Sequence, residues 1–267
     1  MRYLVNPSSE AVREVLRRGW IDHPGTGARM ELGQMTTPAE GREPLTGDDG
    51  EPVWFAADNG CFSAKGAINA DRWHTWLTKL VAGREHRCLF AVAPDLFNPD
   101  LGNDMGVTSL QHSRTYFSGV RELGVPVAVV AQNGLTPAVI APYWREFDVL
   151  FLGGCVECVP CRWVPTIAQL ERMRTTKNYT CPICRHGLTE WKESRAAQRL
   201  AHAAKPEWRP DSWKSVHLGR LNSARRRKLA EVFGVDTADG TFLTYGPDKN
   251  LARLARWPDD NLFSAAA

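Results

Sequence analysis

No apolar run in the sequence approaches the roughly eighteen residues needed to cross a bilayer. The longest, such as 125-VPVAVVA-131, are strand-sized, so no membrane partner is expected. The N-terminus MRYLVNPSSE has no apolar core followed by a small-residue cleavage site, which gives the expectation of a cytoplasmic chain. Strong charge of one sign is missing too. The 33 Lys and Arg against 30 Asp and Glu leave +3, too little to argue nucleic-acid binding by itself. Cysteine is scarce outside one place: of seven, five fall between 155 and 184. That clustering speaks against a disulfide framework and for a metal site. The segment 3-YLVNPSSE-10 carries no glycine-rich turn, which counts against a dinucleotide-binding, doubly wound sheet.

What is present is ordinary globular material, 43% hydrophobic, arranged in a regular alternation. Eight short apolar runs read as strands: 3–6, 31–37, 53–58, 88–95, 126–132, 149–154, 215–220 and 235–240. Between most of them lie segments of helical period at 10–19, 71–82, 109–124, 194–205, 223–234 and 250–257. Asp71 and Ser223 stand where a helix would start, and Gly124 and Gly234 where one would close. Strands alternating with helices predict a parallel sheet buried on both faces, and eight repeats in this length predict an α/β fold of the (β/α)8, TIM-barrel type. Two stretches interrupt the pattern. The Pro-, Gly- and acid-rich 38–52 is expected to be a loop, a candidate lid over the strand ends. Residues 155–187 form an insertion, so the predicted organisation is a barrel from 1–154 and 188–267 with a small inserted module.

The C-terminal ends of the predicted strands share a character. They read Asn6, Thr36–Thr37, Asp58–Asn59, Asp95, Gln132, Gly153–Gly154, Gly219–Arg220 and Asp239–Gly240. Strand C-termini form the rim where such barrels place their active sites, so carboxylates, a glutamine and glycines are expected to meet at one mouth. The series FAADNGCF, FAVAPD, VVAQNG, LFLGG, HLGR and VDTADGT resembles the tRNA-guanine transglycosylase superfamily, and most closely its deazapurine DNA modification branch from phages and bacterial genomic islands. The resemblance implies that guanine in a nucleic acid is exchanged for a 7-deazaguanine base such as preQ0, in the service of phage defence or restriction evasion. It implies Asp239 as the nucleophile and Asp58 as the acid/base carboxylate. Asp95 and Gln132 would hydrogen-bond the base, with Gly153 and Gly154 lying along it and Asn59 and Arg220 beside them. A phage-encoded chain would work in the host cytoplasm.

The residue types suit that chemistry. Displacing a base at an anomeric carbon passes through an oxocarbenium-like state that a carboxylate stabilises or captures. A covalent intermediate lets one base replace another. Guanine offers two adjacent donors to a carboxylate such as Asp95, and a glutamine offers both a donor and an acceptor. Relatives acting on tRNA typically carry a CxCxxC…H zinc site after the nucleophile, whereas only 28 residues follow Asp239 here and none is cysteine. DNA is therefore the expected substrate, with tRNA the alternative. A base-excising N-glycosidase and a non-catalytic barrel that binds DNA or protein are the rival readings.

The insertion 155-CVECVPCRWVPTIAQLERMRTTKNYTCPICRHG-187 holds CxxC pairs at 158/161 and 181/184. Paired knuckles at this separation predict a structural zinc site of Cys158, Cys161, Cys181 and Cys184, with Cys155 or His186 as possible substitutes. Its excess of positive charge and its Trp163, Asn178 and Tyr179 suit a phosphate backbone. Of the basic run 220-RLNSARRRK-228, Arg220 is expected to face the site and most of the other arginines to be solvated helix surface. Trp73 and Trp76 are expected to pack on the barrel, His217 to be a core histidine or to support a catalytic group, and Cys61 to be structural.

Overall fold

The computed structural model describes residues 1–61, 69–205 and 214–257. Phe62, which ends the FAADNGCF motif, and residues 258–267, assigned above to the barrel, lie outside them. Eight parallel strands close into a barrel. They are β1 (Arg2–Val5), β2 (Arg29–Thr36), β3 (Phe55–Ala57), β4 (Cys88–Val92), β5 (Val127–Ala131), β6 (Val149–Leu152), β7 (Ser215–Leu218) and β8 (Thr237–Asp239). Each pairs with the next in chain order, and β8 returns to β1 with Asp239 opposite Leu4. The expected α/β (β/α)8 architecture is what the chain adopts.

Both faces of these strands are buried, which is why the runs are apolar throughout. Leu4, Met35, Ala56, Phe90, Ala128, Val130 and Val149 fill the interior. Their neighbours, such as Val127, Val129, Leu150 and Leu218, pack outward under the helices. The helices begin where side chains can satisfy their first N–H groups. Ser9, Ser194 and Ser223 each accept from a first-turn amide. The helix Ala70–Val81 is capped by Asn69, whose side chain accepts from the Asp71 and Arg72 amides, so Asp71 is the second helical residue and not the cap. Trp73 is fully buried and Trp76 half-buried against the barrel.

Three local features differ from the sequence expectations. The predicted helix 109–124 is two, Met105–Arg114 and Phe117–Glu122. A short strand, Trp20–Asp22, pairs antiparallel with the start of β2. The acidic loop 38–52 is no lid. Only its first part stays near the mouth, where Asn6 Nδ2 donates to Glu40 and Arg42 to the Pro7 carbonyl. The rest descends to the opposite end of the barrel. There Glu43, Asp49 and Glu51 meet Arg84, Arg87 and His86, and the two sides of the loop pair at Thr46 and Pro52. It carries the chain from the top of β2 to the bottom of β3, the task a helix performs elsewhere. Its acids make that descent stick to a basic rim.

The module leaves the barrel after β6. A two-residue ribbon, Val156–Glu157 against Thr189–Glu190, closes its neck, and the Trp191 amide donates to the Cys155 carbonyl at 2.9 Å. A helix, Ile167–Thr176, with a reciprocal Thr166–Gln169 cap, separates the two knuckles. The module rests on the segment after β4. Cys155 and Val164 pack on Met105, Phe97 and Leu101, and Asn103 donates to the Arg162 carbonyl at 3.0 Å. It therefore stands on the same face as the strand C-termini.

Interior packing gives a direct check. Phe90 is fully buried and its ring meets that of His217 edge-on at 5.0 Å. Phe90→Ala should destabilise the barrel by about 3–5 kcal/mol, read as a lower urea midpoint at unchanged m-value. A loss below about 1 kcal/mol would mean that the interior is not packed as described.

Candidate active site

A cavity of about 240 Å³ opens at the C-terminal mouth of the barrel. Asp58, Asn59, Asp95, Gly153, Gly154, Arg220 and Asp239 all line it, so residues up to 181 positions apart in sequence share one space. Gln132 does not line it. That side chain is fully buried and stands behind Asp95, donating through Nε2 to Asp95 Oδ2 at 2.5 Å and to Ser109 Oγ at 3.1 Å.

Asp95 is thereby fixed from two sides, because Asn59 Nδ2 donates to its Oδ1 at 2.7 Å. The same Asn59 amide donates to the Ala93 carbonyl, and its oxygen accepts from the Cys61 amide. The motif AADNG thus works as a bracket. Asp58 opens into the cavity while Asn59 turns back to hold the acid of the neighbouring strand. Burial pushes the Asp95 carboxyl above the usual carboxylate range, against hydrogen bonds from Cys61, Asn59 and Gln132 that pull the other way. Each of its oxygens can accept a second bond, leaving capacity for a ligand's donors. Burial, reinforced by Asp95 and Asp58, also raises the Cys61 thiol. It remains protonated and unsuited to attack, in keeping with a structural part.

Asp239 is held from below and from the side. His217 is fully buried in the barrel interior between the rings of Phe90 and Phe151, at 5.0 and 4.3 Å. Its Nε2 lies 3.0 Å from Asp239 Oδ1, and its Nδ1 lies 2.9 Å from Thr237 Oγ1. With the proton on Nε2, the ring donates to the carboxylate and accepts from the threonine hydroxyl, so the whole chain is satisfied. The histidine is a support for Asp239, as its place in a strand suggested. The Arg220 amide donates to the same Oδ1 at 3.2 Å. It can do so because Arg220 has left-handed backbone geometry, φ 57°, which bulky residues rarely adopt. Arg226 stabilises that turn by donating to the Arg220 carbonyl at 2.9 Å.

The floor of the cavity has no room for side chains. A Cβ on Gly153 would come within 2.8 Å of Val130, and one on Gly154, which also has φ +87°, within 2.8 Å of Asn133. Backbone alone faces a ligand here. Beside this floor lies Lys192, a lining residue that sequence reasoning missed. It is almost fully buried, paired with Glu190 at 2.9 Å, and burial holds its ammonium below the ordinary lysine value. Nothing local in 191-WKES-194 marks it. It reaches the cavity because the module's neck returns the chain beside Gly154. The run 220–228 departs from expectation in the same place. Arg226 is mostly buried and pairs with both Glu190 and Glu193, and Arg227 pairs with Glu231, so neither is solvated surface.

In the module, the sulfurs of Cys158, Cys161, Cys181 and Cys184 lie within 4.8 Å of one another, with closest approaches of 3.3, 3.6 and 3.8 Å. A tetrahedral metal–sulfur site with bonds of about 2.3 Å has sulfur–sulfur edges of about 3.8 Å, so the set can hold a metal ion. The knuckles CVPCR and CPICR are built alike. In each, the residue after the second cysteine has positive φ, 61° at Arg162 and 63° at Arg185, and its amide bonds back to the first cysteine's carbonyl. Cys155 points elsewhere, with its thiol on the Val156 carbonyl. The His186 ring lies against the Cys184 carbonyl. Neither substitutes for one of the four.

No protein-family model matches the chain, and no curated protein matches it. Among the described residues no helix is long and apolar enough to cross a membrane.

Burial first, then Asp239 and then Asp95, push the Asp58 carboxyl up to about 7. An acid that ionises less readily folded than unfolded stabilises the fold fully below about pH 4. That contribution is lost as pH rises through about 7. Asp58→Asn should therefore gain stability relative to wild type between pH 4 and 8, by roughly 2–4 kcal/mol in urea unfolding. A difference independent of pH would mean that the carboxyl is solvated like a free one.

Proposed function

We propose that this barrel exchanges a guanine base in DNA for a 7-deazaguanine such as preQ0, as a pentosyltransferase. The observation that carries the reading is the meeting of Asp58, Asp95 and Asp239 around one cavity floored by bare glycine backbone. Asp239 attacks the anomeric carbon and forms the glycosyl–carboxylate bond as the bond to guanine breaks. Asp58, whose carboxyl titrates near neutrality, gives the departing base its proton and takes one from the incoming base. Attack by the new base then restores the glycosidic bond and frees Asp239. Asp95, held by Asn59 and Gln132, accepts from the base's N1–H and 2-amino donors, which assigns Gln132 to Asp95 and only through it to the base. Such a substrate must be extruded from its stack to reach the carboxylates. We place this work in the cytoplasm, the host's if the chain is phage-encoded.

We assign the four-cysteine site to structural zinc. Four thiolates in a closed tetrahedral set suit that ion, and besides cysteines the module buries Val164, Leu170 and Met173 as its apolar side chains. Purified protein should contain about one zinc per chain, and Cys181→Ser should abolish it and expose 155–187 to protease while β1–β8 stay folded. Metal-free protein whose four thiols react freely in the folded state would refute the assignment.

Incubation with guanine-containing DNA and labelled deazaguanine bases tests the reaction. Wild type should incorporate label, and Asp239→Asn should lose at least about a thousandfold in rate, the loss expected when a covalent nucleophile is removed. Label incorporated equally by Asp239→Asn would remove Asp239 as nucleophile. Incorporation into tRNA and not DNA would overturn the substrate, release of guanine without incorporation would favour an N-glycosidase, and neither would favour a binding barrel.

A further inference from the structure

A second hollow, of about 620 Å³, runs from the cavity out between the module and the helix Ala224–Val232. It adjoins the cavity, since Gly154 and Arg220 line both. One wall belongs to the module and carries Arg174 and Tyr179; the other carries Arg220, Arg225 and Arg226. We propose that this groove is the track for single-stranded nucleic acid flanking the extruded nucleotide, with arginines on both walls gripping phosphates and Tyr179 stacking on a base. The proposal rests on the base-exchange reading for the nucleotide in the cavity, and adds where the strand lies.

The charge of the walls favours a polyanion. Four arginines face the groove against Glu190 and Glu193, and both glutamates are already engaged. Glu190 is paired with Lys192 and Arg226, and Glu193 with Arg225 and Arg226. Arg225 nevertheless keeps 78% of its side chain exposed, so its guanidinium can reach a second anion. Arg174 is exposed on the module helix and makes no ion pair among the described residues. Cations on opposite walls of one channel fit a chain of phosphates better than an isolated anion. The aromatic element is placed to match. Tyr179 is exposed and lines this groove. Trp163 and Asn178, which the sequence also suggested for backbone contact, line a different hollow on the module's other side. A stacking platform beside a positive groove is how strands without paired partners are held.

The test is fluorescence anisotropy with a labelled single-stranded DNA, run on the full chain with no deazaguanine added. Wild type should bind with a salt-dependent affinity. Arg174→Ala/Arg225→Ala should weaken binding tenfold or more at low salt and reduce the slope of log K against log salt by about 1.4, two phosphate contacts on a single strand. Tyr179→Ala should weaken binding by about fivefold or more and leave the slope unchanged. All variants should unfold at the wild-type temperature and retain zinc, which separates lost contacts from a lost fold. Unchanged affinity in both variants, equal dependence on these residues for a blunt duplex, or no strand bound by wild type would each overturn the proposal. The incorporation assay on the same preparations separates the two readings. Label incorporated with groove variants unaffected would sink the groove and leave the reaction standing. Groove-dependent binding without incorporation would sink the reaction and leave the groove.

Discussion

Closure of the sheet between its first and last strands is the constraint on which the rest depends. Where β8 hydrogen-bonds to β1, Asp239 comes level with Leu4, and the ring of strands becomes complete. Only then do Asp58, Asp95 and Asp239, carried by three different strands, point into one space. An open sheet of the same strands would spread these acids along an edge. The same closure buries His217 beneath Asp239, because a histidine on an inward-facing strand position has nowhere to go except the interior. The mouth of the barrel is therefore built on a stack that descends from the carboxylate through an imidazole to Phe90.

Each acid is also given a distinct environment by its neighbours. Asp95 is clamped by two side-chain amides, Asp239 by an imidazole and a strained backbone amide. Asp58 faces two other carboxylates in a buried setting that raises its affinity for a proton. Like residue types thus diverge in behaviour because of what surrounds them, the arrangement by which acid and base roles are commonly separated at neutral pH.

Much of this was legible in the chain. The eight strands could be read from apolar runs, because strands buried on both faces leave nothing else to write. Their order, with polar residues at each end, placed the acids at the mouth. The four clustered cysteines could be picked out by the spacing of their CxxC pairs, since a knuckle is a local object, and the fold then set Cys155 and His186 apart from them. Long-range geometry was less accessible. Lys192 reaches the cavity only because the ribbon Thr189–Glu190 steers it there. The motif points Gln132 at the ligand, whereas its burial makes it a partner of Asp95, a distinction that depends on depth and leaves no mark on composition. The loop 38–52 looked like a cover because its polarity fits solvent. Its acids instead fit the basic residues Arg84 and Arg87, a match between segments that no local pattern records.

The neck of the inserted module joins Cys155 to Trp191 by a single backbone hydrogen bond. The chain thus departs from the barrel and rejoins it at almost the same point. Thirty-odd intervening residues add no length to the path that the barrel must follow, and loop-closure entropy rises only slowly with such an excursion. The site is, in evolutionary terms, a socket: a different appendage, or a bare turn, could occupy it without a change of register in any strand. Whatever the module contributes could then change by exchange of one peripheral part while the acids at the mouth stayed where they are.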